Sequence, residues 1–117
     1  MSVLYHRDIG FPKWLKMKPV TVSLTYGSHS REEALSDRYG VINLPKRITI
    51  RPEEIFEIEM VNNKPVKIAL RTHHDVLNDI IIVLNTKDNF VKTVWLNRKT
   101  DTHKTLDRTK YKNPIAA

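Results

Sequence analysis

Apolar and polar side chains alternate most cleanly in the middle of the chain. Phe56, Ile58 and Met60 are separated by Glu57 and Glu59; Val66, Ile68 and Leu70 alternate with Lys67 and Arg71, and Asn62-Asn63 lies between the two runs. A side-chain period of two with a paired-Asn turn predicts a β-hairpin with one buried face. On its other face Glu57 or Glu59 can stand opposite Lys67 or Arg71, each pair adding roughly a few tenths of a kcal/mol. A third strand is expected over about Asp79 to Asn85, and Thr86 to Asn89 turns it into a fourth, Phe90 to Leu96. In that fourth strand Lys92, Val94 and Leu96 share one face and Val91, Thr93 and Trp95 the other. Both faces are largely apolar, which marks a central strand.

The period changes earlier in the chain. Pro19 to Tyr26 is β-branched and alternating, and reads as one strand. Ser30 followed by Glu33 has the spacing of a capping box, and REEALSDRY runs from it to Gly40, a left-handed stop. A 3.6-residue period places Arg31, Leu35 and Arg38 along one stripe with Ala34 beside it. Pro52-Glu53-Glu54 suits a short helical turn or bend. Residues 1–18 mix aromatic and basic side chains without a period and are read as an N-terminal arm. The expectation is one α+β domain over residues 1–117: an N-terminal helical part packed on a four-stranded antiparallel sheet, with residues 98–117 as a basic C-terminal tail.

Charge changes the picture at that tail. The chain carries a formal +7 with an isoelectric point near 9.8. Residues 90–117 hold seven Lys or Arg against Asp101 and Asp107, while residues 28–89 are close to balanced. Such clustering favours a polyanion partner, because Lys and Arg release condensed counterions when they neutralise phosphates. The absence of cysteine removes disulfides and thiolate ligands and fits a reducing compartment, so a cytoplasmic location is expected, the host cytoplasm if the chain is phage-encoded. No signal-peptide pattern is present at the N-terminus, and the longest apolar run, Ile80 to Leu84, is five residues where a membrane span needs roughly 20. No membrane partner is expected.

Cleaving RNA without a metal requires a base for the 2′-hydroxyl, an acid for the leaving oxygen and a cation for the phosphorane. Histidine serves either proton-transfer role because its ordinary pKa is about 6.5. His103 lies among Thr102, Lys104 and Thr105, and His29 stands at the start of the expected helix, where backbone N–H groups favour an anion. Lys92 is a candidate phosphorane cation and Thr93 a phosphate donor, and Arg98 offers a bidentate fork at the strand end. His73, His74 and Asp75 invite a metal reading, but neighbours on an extended chain point to opposite sides, so no metal or other cofactor is expected.

The order of parts, SHSREEALSDRYGV, then a hairpin, a buried strand and VKTVWLNRKTDTHKTLDRTKY, resembles the phage-encoded branch of the barnase, EndoU, colicin-tRNase and RelE-like ribonuclease superfamily over about residues 20–112. The resemblance implies a small metal-independent endoribonuclease, toxin-like or phage-encoded, with His29, Lys92, His103, Thr105 and Tyr111 in catalytic roles. Arg31, Arg38, Arg98, Lys104 and Arg108 would hold phosphates. RNA or another nucleic acid is the expected partner, with a protein inhibitor or antitoxin as a candidate second one. The alternative is a non-catalytic nucleic-acid-binding or virion-associated phage protein that uses the basic tail as an anchor.

Overall fold

A computed structural model describes residues 2–101 and 107–114. Its strands are β1 (Ser2–His6), β2 (Val20–Ser23), β3 (Thr25–Tyr26), β4 (Arg47–Ile50), β5 (Ile55–Val61), β6 (Lys64–His73), β7 (Asn78–Asn85) and β8 (Phe90–Arg98), and the helix α1 spans Ser28–Ser36. Six strands form one sheet in the order β1-β5-β6-β7-β8-β3, antiparallel except for the β3–β8 pair, while β2 and β4 form a separate antiparallel ribbon. No helix among the described residues is long and apolar enough to cross a membrane.

The expected fold class is therefore corrected. Strands hold 45% of the residues and helical turns 14%, and the sheet is mixed and six-stranded rather than antiparallel and four-stranded under a helical N-terminal part. The hairpin and the two strands after it lie where alternation places them, with Asn62 and Asn63 at φ of 52° and 62° in the turn. The N-terminal segment is a strand, not an arm, pairing from Ser2↔Val61 to His6↔Glu57. Its period is hidden because Tyr5 and His6 are both buried, the His6 ring lying 5.0 Å from that of Tyr111. Pro19 to Tyr26 is two strands rather than one. At the buried Leu24 the chain leaves the ribbon, where Val22 pairs with Ile48, and crosses to β8, where Thr25 pairs with Phe90.

One face of the sheet carries the core. Ile58 pairs with Ile68, Ile68 with Leu84 and Leu84 with Val91, and the next row runs Leu70, Ile82, Val94. Ile50 and Ile48 of the ribbon, together with Leu24, Ala34 and Ile42, cover this face. Between β7 and β8 the register slips once, since Val83 pairs with Thr93 and Leu84 with Val91, leaving Lys92 as the extra residue. This bulge moves Val91 onto the core face and leaves Lys92 exposed, against the simple alternation expected for the strand. On the opposite face Glu59 pairs with Lys67 at 3.2 Å, as the hairpin pattern predicts, and Ile81 lies fully buried between Arg71 and Trp95 in the cross-strand row.

Helix α1 packs on β8 through an unusual set of acceptors. Among the described residues no strand lies on the outer side of β8 beyond Val91, yet the outward N–H groups of Val94 and Leu96 are satisfied. Val94 donates to Glu33 Oε1 at 3.2 Å and Leu96 to Asp37 Oδ1 at 3.1 Å. Thr93 adds its hydroxyl to both Glu33 oxygens, at 2.8 and 2.7 Å. Glu33 is thereby withdrawn from the expected capping box. The helix begins at Ser28 with Gly27 before it, and Ser30 lies within its first turn, buried and donating to Gly27 O at 3.3 Å. Turning Glu33 and Asp37 to the strand also turns Leu35 outward, where it is 70% exposed, so the expected apolar stripe is not the packing face. The helix stops at Ser36, and Gly40, with φ of 117°, belongs to the turn after it.

Replacing Glu33 by Ala leaves a strand N–H and a hydroxyl without acceptors, and should cost about 1–3 kcal/mol in urea unfolding. Glu33→Gln, which keeps one oxygen in place, should lose less; equal stability of both variants and the parent would show that the edge is satisfied some other way.

Candidate nucleic-acid interface

Burying the helix carboxylates against β8 decides what the outside of this seam presents. Glu33 has a third neighbour, His29, whose Nε2 lies 3.5 Å from Oε2 one helical turn away, with the imidazole 74% exposed. Beside this pair, Arg38 and Arg98 both lie against the ring of Tyr39, at 4.6 and 4.3 Å from its centroid, and Arg31 lies 5.9 Å from that of Tyr26. Stacking on an aromatic face holds a guanidinium in place while leaving its N–H edge free for an anion. Lys92 is exposed on the bulge of the same strand. A groove of about 380 Å³ runs along the seam, bounded by Glu33, Ser36, Asp37 and Arg38 on the helix side and Trp95 and Asn97 on the strand side. Glu32 is the exposed acidic residue of the helix.

Tyr26 and Tyr111 are both held as neutral phenols. Burial pushes Tyr26 up to about 12, outweighing the opposing charge of Arg31, and its hydroxyl donates to the Pro45 carbonyl. At the far side of the sheet, burial, a hydrogen bond to Glu57 and the charges of Glu57 and Asp107 all push Tyr111 above its ordinary value.

Of the expected site residues, Arg38 and Arg98 meet at the Tyr39 ring, Arg31 lies against Tyr26, His29 lies beside Glu33 on α1, and Lys92 is exposed on β8. The structure does not bring Tyr111 or Arg108 to the α1–β8 seam. Residues 107–114 lie along β1, where Lys112 N–H donates to Leu4 O at 2.8 Å and Tyr111 donates to Glu57 Oε2 at 2.6 Å. Three strands, β5 to β7, stand between β1 and β8. His103, Lys104 and Thr105 lie outside the described residues. Sequence reasoning passed over Tyr39 and read Trp95 as core. A usable signal was present in Arg38-Tyr39, a cation and a ring adjacent just past a helix end.

Where the tail leaves β8, its first residues are clamped. Arg71 donates to Asp79 Oδ2 at 2.8 Å and to the carbonyls of Arg98 and Asp101 at 2.9 Å each, and Lys99 reaches Asp79 Oδ1 at 2.7 Å. Lys99 also lies 3.0 Å from His73 Nδ1. An ammonium only donates, so that nitrogen is the acceptor and Nε2 carries the ring proton. His73 is thus occupied on the face away from the core. Among the described residues no group of three or more His, Cys, Asp or Glu is placed to hold one metal ion.

For Asp79, burial pushes the carboxyl up, but the hydrogen bonds and charges of Lys99 and Arg71 outweigh it and hold the group below its ordinary value. A depressed carboxyl contributes stability above its unfolded pKa, about 3.9, that is lost as pH falls through the folded value. Unfolding free energy should therefore decline below about pH 4, and Asp79→Asn should flatten that decline; an unchanged acid slope in the variant would remove Asp79 from the linkage.

No family model, no curated protein and no solved structure matches this chain.

Proposed function

We propose that the chain is an RNA-binding protein whose α1–β8 seam grips a single-stranded sugar-phosphate backbone. The observation that carries this reading is the direction of the helix carboxylates. Because Glu33 and Asp37 turn to the N–H groups of Val94 and Leu96, Arg38 of the groove wall is left stacked with Arg98 on Tyr39, with His29 and Arg31 exposed on the helix and Lys92 exposed on the strand. Trp95 beside Arg38 adds an aromatic surface on which an unpaired base can stack. A backbone held by cations and aromatic rings suits a single strand better than a duplex, whose bases are already stacked on one another. The overall basicity of the chain supports the same partner.

A second reading, cleavage, is favoured by the His29–Glu33 pair. A carboxylate orients the imidazole, and Lys92 on the adjacent strand supplies a cation for a developing phosphorane. In this chemistry His29 takes the 2′-hydroxyl proton, the 2′-oxygen attacks phosphorus, and the bond to the 5′-oxygen breaks, that oxygen taking a proton from solvent water, to leave a 2′,3′-cyclic phosphate and a 5′-hydroxyl. It keeps the ribonuclease resemblance but omits Tyr111 from the site, whose hydroxyl is committed to Glu57.

Binding is checked by fluorescence anisotropy of a labelled single-stranded RNA across a salt series. Arg38→Ala combined with Arg98→Ala should weaken binding and reduce the salt slope by about two, one for each phosphate contact. A slope indifferent to both changes would remove the seam as the binding surface.

Cleavage is checked separately by incubating labelled RNA with the protein in EDTA. A cyclic-phosphate product whose rate falls at least about a hundredfold in His29→Ala is expected; RNA left intact by the parent protein would discard cleavage and leave binding standing.

A further inference from the structure

A second concavity lies on the core-facing side of the sheet, where the ribbon strand β4 meets the ends of β6 and β7. It encloses about 440 Å³, within the range of small-ligand sites. Its apolar surface comes from Pro45, Ile48 and Ile80, and Ile80 is itself fixed between Thr72 and Leu96 in the cross-strand row. Its polar groups are mixed in kind. Arg51 and Thr72 offer donors, Glu54 offers an acceptor, and Asn43 and His74 offer both. A bare phosphate would call for donors alone and an apolar ligand for none. Flat aliphatic surface bordered by donors and acceptors, with one guanidinium, fits a nucleobase carrying a phosphate.

Of the described carboxylates near the cleft, only Asp79 is offset by cations. Asp75 accepts from the N–H groups of Leu77 and Asn78, and Asp79 is neutralised by Arg71 and Lys99. Glu54 is thus left as the acceptor for a base amino group. The cleft and the seam are linked by one segment of chain. The segment after α1 carries Tyr39, under Arg38 and Arg98, and then supplies Asn43 and Pro45 to the cleft. On the sheet side Arg98 pairs with Asn78, two residues before Ile80. An RNA strand passing Arg98 at the end of β8 therefore arrives at this opening.

We propose that the cleft is a nucleobase pocket, seating one unpaired base of the bound RNA with its phosphate on Arg51, and that it sets sequence preference while the seam supplies affinity. The proposal rests on the RNA-binding reading of the seam. The two make different demands: the seam contacts phosphates and is indifferent to sequence, whereas the cleft offers hydrogen bonds to a base edge.

The test uses the full chain, short homopolymers of A, C and U, and the corresponding free nucleoside monophosphates. The parent protein should prefer one homopolymer by about tenfold, the scale of one well-held base. Asn43→Ala combined with His74→Ala should bring that ratio close to one with the salt slope unchanged, and Arg38→Ala with Arg98→Ala should weaken all homopolymers with the ratio kept. In parallel, the preferred monophosphate should shift the His74 imidazole signal in an NMR titration, the signal being assigned by its loss in His74→Ala. An unmoved imidazole signal together with a ratio unaffected by the cleft variant would overturn the pocket while the seam stands. A shifted signal with RNA affinity indifferent to Arg38 and Arg98 would support the pocket and overturn the seam.

Discussion

The edge of β8 is the constraint on which the rest of this molecule depends. A strand with no neighbour presents a row of N–H groups that must find acceptors, and an exposed row invites pairing with another chain. Here β3 covers Phe90 and Val91, after which two carboxylates one helical turn apart on α1 meet two N–H groups two residues apart on the strand. A turn of helix rises about 5.4 Å and two strand residues about 6.7 Å, close enough for one helix to serve both sites. The helix is thereby fixed in rotation as well as position. Glu33 and Asp37 face the strand, while His29, Arg31 and Glu32 face outward.

That single orientation links fold to chemistry. Ser30 and Ala34 are buried, Leu35 is surrendered to solvent, and His29 is left beside a carboxylate already engaged by a strand hydroxyl. The segment after the helix then lays Tyr39 between the helix and the end of β8, where one ring serves two guanidinium groups. Ala34 and Tyr39 also pack on the hydrophobic core, so the pairing of Glu33 and Asp37 with the strand acts together with that apolar contact.

How much of this was legible in the sequence depends on how local the cause was. The hairpin through Asn62 and Asn63 and the strands after it follow from alternation and turn chemistry within a few residues, and their bounds agree closely with the reading. The helix was visible as an element, but its rotation was not. Ser30 and Glu33 match a capping box in spacing, and nothing local reveals that Glu33 serves a strand sixty positions later. β1 escaped notice because the segment around Tyr111 buries its second face, which erases the period on which a strand is recognised. The bulge at Lys92 was equally hidden, since only the register with β7 shows which residue is extra. Of the candidate site, the residues on α1 and β8 share one seam because their elements touch; Tyr111 was grouped with them by resemblance alone, and its own environment ties it elsewhere.

The pairing of Lys112 N–H with Leu4 O joins residues from the two extremities of the described chain at one border of the sheet. During synthesis, β5 to β8 have all their partners among residues already made, so the meander and its helical brace are able to assemble as they emerge. The outer border differs: β1, although translated first, must wait for β5 before it pairs, and its second face stays bare until the segment around Tyr111 leaves the ribosome. Completion of this side of the molecule is thus a late event in the order of translation, separate in time from formation of the seam that faces the other way.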